Sequence, residues 1–203
     1  AYYEHLPLPR RMAPFGPDLR LYTQRSYGDL VNILLLDERQ YRTPQACPLP
    51  GQHGSNRVEN CAELSDETRT MFGAKQEAWL DARLAASKAR WNLITQGVVM
   101  AYMDELPAPR QRYWTDSWSG YPAARRRLLG ALANHQVANP VILGGDIHGF
   151  VASDINQVPE RPDTPVACSE LVTTSISSQP PGEQLFTNAM AQNPSVKYAT
   201  GLH

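Results

Sequence analysis

Two residues able to hold a metal ion stand two positions apart in Gly144-Gly-Asp-Ile-His148. The carboxylate of Asp146 is a hard oxygen donor and the imidazole of His148 a nitrogen donor, a pairing common around catalytic cations. The same two residues also fit a turn-capping aspartate beside a half-buried, hydrogen-bonded histidine, and these five residues alone do not decide between the readings. Val141, Ile142 and Leu143 immediately before them form a continuous branched apolar run, as in a strand covered on both faces in a sheet flanked by helices. Gly144 and Gly145 allow a sharp turn or a close approach to a ligand. Asp146 and His148 are therefore expected at the C-terminal edge of a strand, where layered α/β folds bind their ligands.

Other groups with chemical potential are weaker candidates. Arg125-Arg126-Arg127 lies near a helix N-terminus and could clamp a phosphate, although such a run more often forms a solvated face. Arg39 and Arg42 could reach a substrate, but an ion pair with neighbouring Asp37 or Glu38 is the simpler expectation. Trp118 and Tyr121 could line a pocket or pack against the next helix. Ser175, Ser177 and Ser178 have no Gly-x-Ser-x-Gly elbow around them, which disfavours serine hydrolase chemistry. His5, His53, His135 and His203 show no ligand spacing and read as surface or capping residues.

The elements that must position Asp146 and His148 are readable in outline. Leu19 to Tyr27 alternates as a half-exposed strand, and Gly28-Asp29 turns the chain into an apolar strand at Leu30 to Leu36, which suggests an antiparallel pair. A long loop follows from Thr43 to Arg69, with a helical turn opening at Ser65. Gly73 to Arg90 reads as a helix with Leu80 and Leu84 on one stripe and Trp79 as an anchor to the sheet. Trp91 to Met100 reads as a buried strand with Gly97 at a bulge or turn, and Pro107 to Gly120 as a loop. Pro122 suits the first turn of a helix running to His135. Beyond the strand at Pro140, strands are expected at Phe150 to Ile155 and Val166 to Ile176, and a short helix at Gln184 to Gln192. The alternation implies one α/β domain over residues 1–203 with no internal boundary and no repeat.

The chain has 203 residues, 42% of them hydrophobic, and a formal net charge of −1. That is enough for a sizeable core. Near-neutral charge provides no general field for nucleic acid or membranes, so any affinity for phosphate must be local. No stretch approaches the roughly 20 apolar residues of a membrane span. Cys47 and Cys61 flank a polar loop that they could close as a disulfide in an exported protein, while Cys168 lies in an apolar run and reads as a buried thiol. Neither end tapers into a polar tail, which suggests a fragment or a processed product.

Five stretches, in order, carry a resemblance to a known family: Leu36-Asp37-Glu-Arg39-Gln-Tyr41-Arg42, Gly73-x-x-Gln76-x-x-Trp79-Leu80, Asp116-x-Trp118-x-Gly120-Tyr121, Gly145-Asp146-Ile-His148, and Glu170-Leu-Val-Thr-Thr-Ser175 through Ser178. Together they resemble the alkaline phosphatase D (PhoD-like) family, related to metallophosphoesterases and to phospholipase D-type enzymes of the same superfamily. The resemblance implies a layered metallophosphoesterase-like β-sandwich flanked by helices, with this chain as its C-terminal portion. It further implies hydrolysis of phosphodiesters and phosphomonoesters by a metal-activated hydroxide, using ferric iron with calcium close by, in an enzyme secreted or periplasmic after twin-arginine export. By motif, Asp146 and His148 match metal ligands, and the loop of Asp116 to Tyr121 is expected to shape the mouth of the site. The family's other ligands belong upstream of Ala1, so the N-terminal portion of the same enzyme is the expected partner beside the phosphate ester. A chain with these two ligands alone could instead be a catalytically silent half-domain, active only when paired. Ser119 stands where the family commonly has aspartate, so no role of that acid transfers.

Overall fold

The computed structural model describes residues 2–106 and 109–202; the expected loop start at Pro107 and the terminal His203 lie outside them. The elements are helix α1 at Tyr2–His5, strands β1 at Thr23–Tyr27, β2 at Val31–Leu35 and β3 at Arg57–Val58, and helix α2 at Gly73–Ala85. Strands β4 at Trp91–Thr95 and β5 at Tyr113–Trp114 follow, then helix α3 at Pro122–Asn134 and strand β6 at Pro140–Gly144. Strands β7 at Phe150–Asn156 and β8 at Val166–Val172, helix α4 at Glu183–Gln192 and strand β9 at Val196–Thr200 complete the order.

Seven strands form one sheet in the order β1-β2-β4-β6-β8-β7-β9, and β3 pairs with β5 in a small ribbon. β2, β4, β6 and β8 run parallel, and β1, β7 and β9 add antiparallel edges. The expected α/β class with a large helix-flanked sheet is met. Among the described residues the second sheet is only the two-stranded ribbon.

Alternate residues of the parallel strands differ sharply in exposure. Leu34, Ile94 and Ile142 are fully buried on the face shared with Leu80 and Leu84 of α2 and Leu128, Leu129 and Leu132 of α3. Each such side chain contributes about 1.5–3 kcal/mol on removal from water. The opposite face carries Ile33, Leu93, Val141 and Leu143 half-buried, with Leu35, Trp91 and Leu171 about 40–50% exposed. The strands are thus covered on one face, whereas their apolar runs led us to expect two.

Several elements stop earlier than their periodicity suggests. α2 ends at Ala85, and β4 ends at Thr95 because the Gln96 side chain takes over the backbone, accepting from Val98 N–H at 3.0 Å. The long loop after β2 is tied by a Cys47–Cys61 disulfide, and Cys168 is a buried free thiol. β9 and the β3–β5 ribbon were not anticipated. The ribbon strands are two residues long, too short for any period to register. Trp79 anchors α2 to Tyr22 just before β1, with ring centroids 5.1 Å apart.

Candidate active site at the end of strand β6

The β6 strand delivers Asp146 and His148 to the C-terminal edge of the sheet, as expected. Both residues adopt left-handed backbone conformations, with φ of 72° and 56°. For side chains bearing a Cβ this costs on the order of 1 kcal/mol each. The two glycines before them do not make this turn. Gly144 is needed for packing instead, because a Cβ there would stand 2.8 Å from the Val98 carbonyl oxygen.

His148 is half-buried, with Nδ1 at 3.1 Å from the carbonyl oxygen of Gln179. A carbonyl only accepts, so Nδ1 donates, and in the neutral imidazole the lone pair then sits on Nε2. That is the tautomer a metal-binding histidine adopts when its other nitrogen is anchored.

Asp146 belongs to a network of charges. Nη2 of Arg39 lies 3.1 Å from Asp146 Oδ1, and Nη1 of the same guanidinium lies 2.8 Å from Asp116 Oδ2. Asp116 also receives Arg42 at 2.8 Å and the Gln45 amide at 2.7 Å. Burial works to raise the Asp116 pKa, but Gln45, Arg39 and Arg42 together hold it below the ordinary carboxylate range. Asp116 is thus a fixed anion that aims Arg39 at the exposed Asp146. The expected pairing of Arg39 and Arg42 with Asp37 or Glu38 gives way to this one. Asp37 turns instead to the backbone N–H groups of Arg39 and Gln40, each at 3.0 Å.

A cavity of about 680 Å³ opens beside these residues. Asp116, Asp146 and His148 line it together with apolar Val98, Val99 and Leu185. Arg57 and Arg112 also line it, both held on Glu105 at 3.0 Å. Trp118 and Tyr121 are not among its lining residues. Both are fully buried, the indole donating to Gln96 at 3.1 Å and the phenol to the Thr43 carbonyl at 2.7 Å. Their motif reaches the cavity through Asp116 and Ser117.

The chain just after Val98 and Val99 is held by Glu170. This carboxylate is completely buried on β8 and accepts from the backbone N–H groups of Met100 at 2.5 Å and Ala101 at 2.8 Å. Burial raises its pKa to about 7, against the opposing pull of those two N–H groups and of Arg125. Arg125 is itself buried, bonded to the Met100 carbonyl at 3.2 Å and to Glu160 at 2.8 Å. Arg126 pairs with Glu67, and Arg127 with Glu77 at 2.8 Å. The triple-arginine run is therefore spent on carboxylates, neither clamping a phosphate nor simply solvated. Ser175 Oγ donates to the Ser178 carbonyl at 2.6 Å, and His135 pairs with Asp81.

Asp146 and the free Nε2 of His148 suit a divalent or trivalent cation in donor type. They fall short in number: among the described residues no three His, Cys, Asp or Glu side chains are grouped to hold an ion. Two such donors are part of a ligand set and do not complete one. Local sequence pointed to these two residues, whereas the Arg39–Asp116 link, 77 residues apart, left no local signal.

Comparison with known proteins agrees with this architecture. The solved structure titled "Structure of PhoD" superposes with a TM-score of 0.89 at 32% identity, covering 98% of this chain and 38% of that one. Alkaline phosphatase D of Bacillus subtilis (strain 168) is 36% identical over 178 residues, which is 88% of this chain and 30% of that protein. The family model described as PhoD-like phosphatase matches residues 1–202. The chain belongs to the PhoD-like phosphatase family, and it spans about a third of the length of the relatives it matches.

Proposed function

We propose that this chain contributes one edge of a metal-dependent active site that hydrolyses phosphoric esters, with Asp146 and His148 as metal ligands. The observation that carries this reading is the Asp116–Arg39–Asp146 network at the sheet edge, beside a histidine whose Nε2 is left free. Iron and calcium are the ions expected there. A bound cation of this kind supplies positive charge to phosphoryl oxygens and makes water a better nucleophile at neutral pH. The chain's own residues do the rest. Asp116 holds Arg39 beside Asp146, where the positive charge of its guanidinium would offset negative charge on a phosphoryl oxygen. Gln179 keeps the His148 proton on Nδ1, and Val98, Val99 and Leu185 exclude water from part of the cavity.

A second reading, a half-domain silent until paired, is favoured by the two-ligand donor set among the described residues. In both readings the remaining ligands and the second sheet of a β-sandwich come from the N-terminal portion of the same enzyme. The half-exposed apolar face of Ile33, Leu93, Val141 and Leu143 supports such a layer. The Cys47–Cys61 disulfide supports a secreted or periplasmic location, since such bonds persist in oxidising compartments.

Elemental analysis of the purified chain, with its intact mass and its hydrolysis of bis-p-nitrophenyl phosphate, tests the proposal. Near-stoichiometric iron that disappears in His148→Ala, with the unfolding midpoint unchanged, is the expected result. A variant that loses its fold and leaves metal content untouched would make His148 structural. Metal without turnover in the single chain, and turnover once the N-terminal portion is added, would select the paired half-domain.

A further inference from the structure

Most arginines of this chain, from Arg39 to Arg161, rest on a carboxylate. Four that do not, Arg11, Arg20, Arg25 and Arg83, line a single hollow of about 450 Å³ between β1 and α2. They come from three separate segments: the turn at Arg10–Met12, the β1 strand with its approach, and the α2 helix. No aspartate or glutamate lines the hollow, and none of the four has an acidic partner among the described residues. In a chain of net charge −1, four cations stand here with no counter-charge among the lining residues.

The floor fixes the geometry of one of them. Arg20 stacks over the Tyr22 ring at 4.2 Å from its centroid and lies 5.8 Å from that of Trp79, while Tyr22 and Trp79 are in contact with each other. Stacking uses the face of the guanidinium and leaves the N–H groups at its edge free to donate. Neighbouring like charges repel, and an anion seated among them removes that repulsion while forming charge-assisted bonds.

We infer that this hollow is an anion-binding site that takes a phosphate group, separate from the cavity at Asp146 and His148. Its place in the sheet gives it a use. Thr23, at the start of β1, pairs with Leu35, which aligns through Thr95 with Leu143 of β6. The hollow therefore begins at the same edge of the sheet as the candidate active site, three strand spacings or roughly 15 Å away. A phosphate there is either the free inorganic ion or one of several phosphates on a larger compound whose ester lies at β6. The second source, unlike the first, rests on the function proposed above.

Calorimetric titration of the full chain with inorganic phosphate and with tripolyphosphate tests this. At least one is expected to bind, weakening with salt. Binding of inorganic phosphate as tight as that of tripolyphosphate identifies the free ion, and binding of tripolyphosphate alone identifies a multiply phosphorylated compound. In Arg25→Glu/Arg83→Glu, both exposed positions, affinity should fall about tenfold or more with the unfolding midpoint unchanged. In His148→Ala it should stay within about twofold, because charges this far apart in water are largely screened. Equal affinity in the arginine variant, loss of binding in His148→Ala, or no binding of either anion would overturn the assignment. Hydrolysis of p-nitrophenyl phosphate is read separately. A chain that binds in the hollow and turns nothing over would leave the hollow standing and count only against the active-site reading.

Discussion

Two loops leave the sheet side by side at the same edge, after β4 and after β6, and they are built on opposite principles. The loop from Gln96 to Ala101 is buried and satisfied, with Gln96 bonded to Val98 and Trp118, and Glu170 holding Met100 and Ala101. The loop from Gly145 to His148 is partly exposed, carries two left-handed non-glycine residues, and rests on single contacts from Arg39 and Gln179. The first spends buried polar groups on rigidity, and the second keeps strain and free donor atoms. The pairing teaches that the loop proposed to bind metal takes its footing from the satisfied loop packed beside it.

The comparison can be broken most decisively at Glu170. Glu170→Ala would strand two backbone N–H groups and remove a carboxylate facing Arg125, so a loss of about 3–5 kcal/mol is expected in urea unfolding. A loss under about 1 kcal/mol would mean that the β4 loop holds itself. A smaller, pH-dependent effect sharpens the point. The folded-state pKa of Glu170, about 7, lies above the ordinary glutamate value, so folding favours its protonated form. Its contribution to stability is fully present below the ordinary value, is lost as pH rises to about 7, and is flat beyond. Wild-type stability should fall across that window relative to Glu170→Gln, and parallel profiles would remove the electrostatic part of the argument. The smallest effect should have the opposite sign. His148→Gly relieves a left-handed strain and is expected to raise stability by about 0.5–1 kcal/mol while abolishing metal uptake. Destabilisation would show that the β6 loop is locked like its neighbour.

How much of this was legible in sequence follows the range of the forces involved. The β6 strand and the positions of Asp146 and His148 at its end were readable, because an apolar run and a Gly-Gly break are local signals. The α2 and α3 helices were readable for the same reason. The partners that give the site its electrostatics were not. Arg39 meets Asp116 only after the chain has crossed the sheet, and nearby Asp37 and Glu38 offered a nearer answer that folding did not take. Trp118 and Tyr121 belong to a motif that borders the cavity, yet their size and apolarity take them into the core, leaving Asp116 to reach it. Glu170 was visible only as part of the resemblance, since nothing around it says that a glutamate on a strand will be completely buried.

The uneven cover of the sheet has an origin in stereochemistry. The chain steps in one direction across the sheet, from β2 through α2 to β4 and through α3 to β6. Crossovers between parallel strands are right-handed in about 98% of cases, because L-residues give strands and helices their twist. Two successive right-handed steps in one direction must drop both helices on the same side. Right-handed crossovers in this direction cannot bring either helix over Leu35, Trp91 and Leu171 on the other. Covering them takes a reversal of direction or a separate layer, so the chirality of the amino acids chooses which side of this sheet is open to a neighbour.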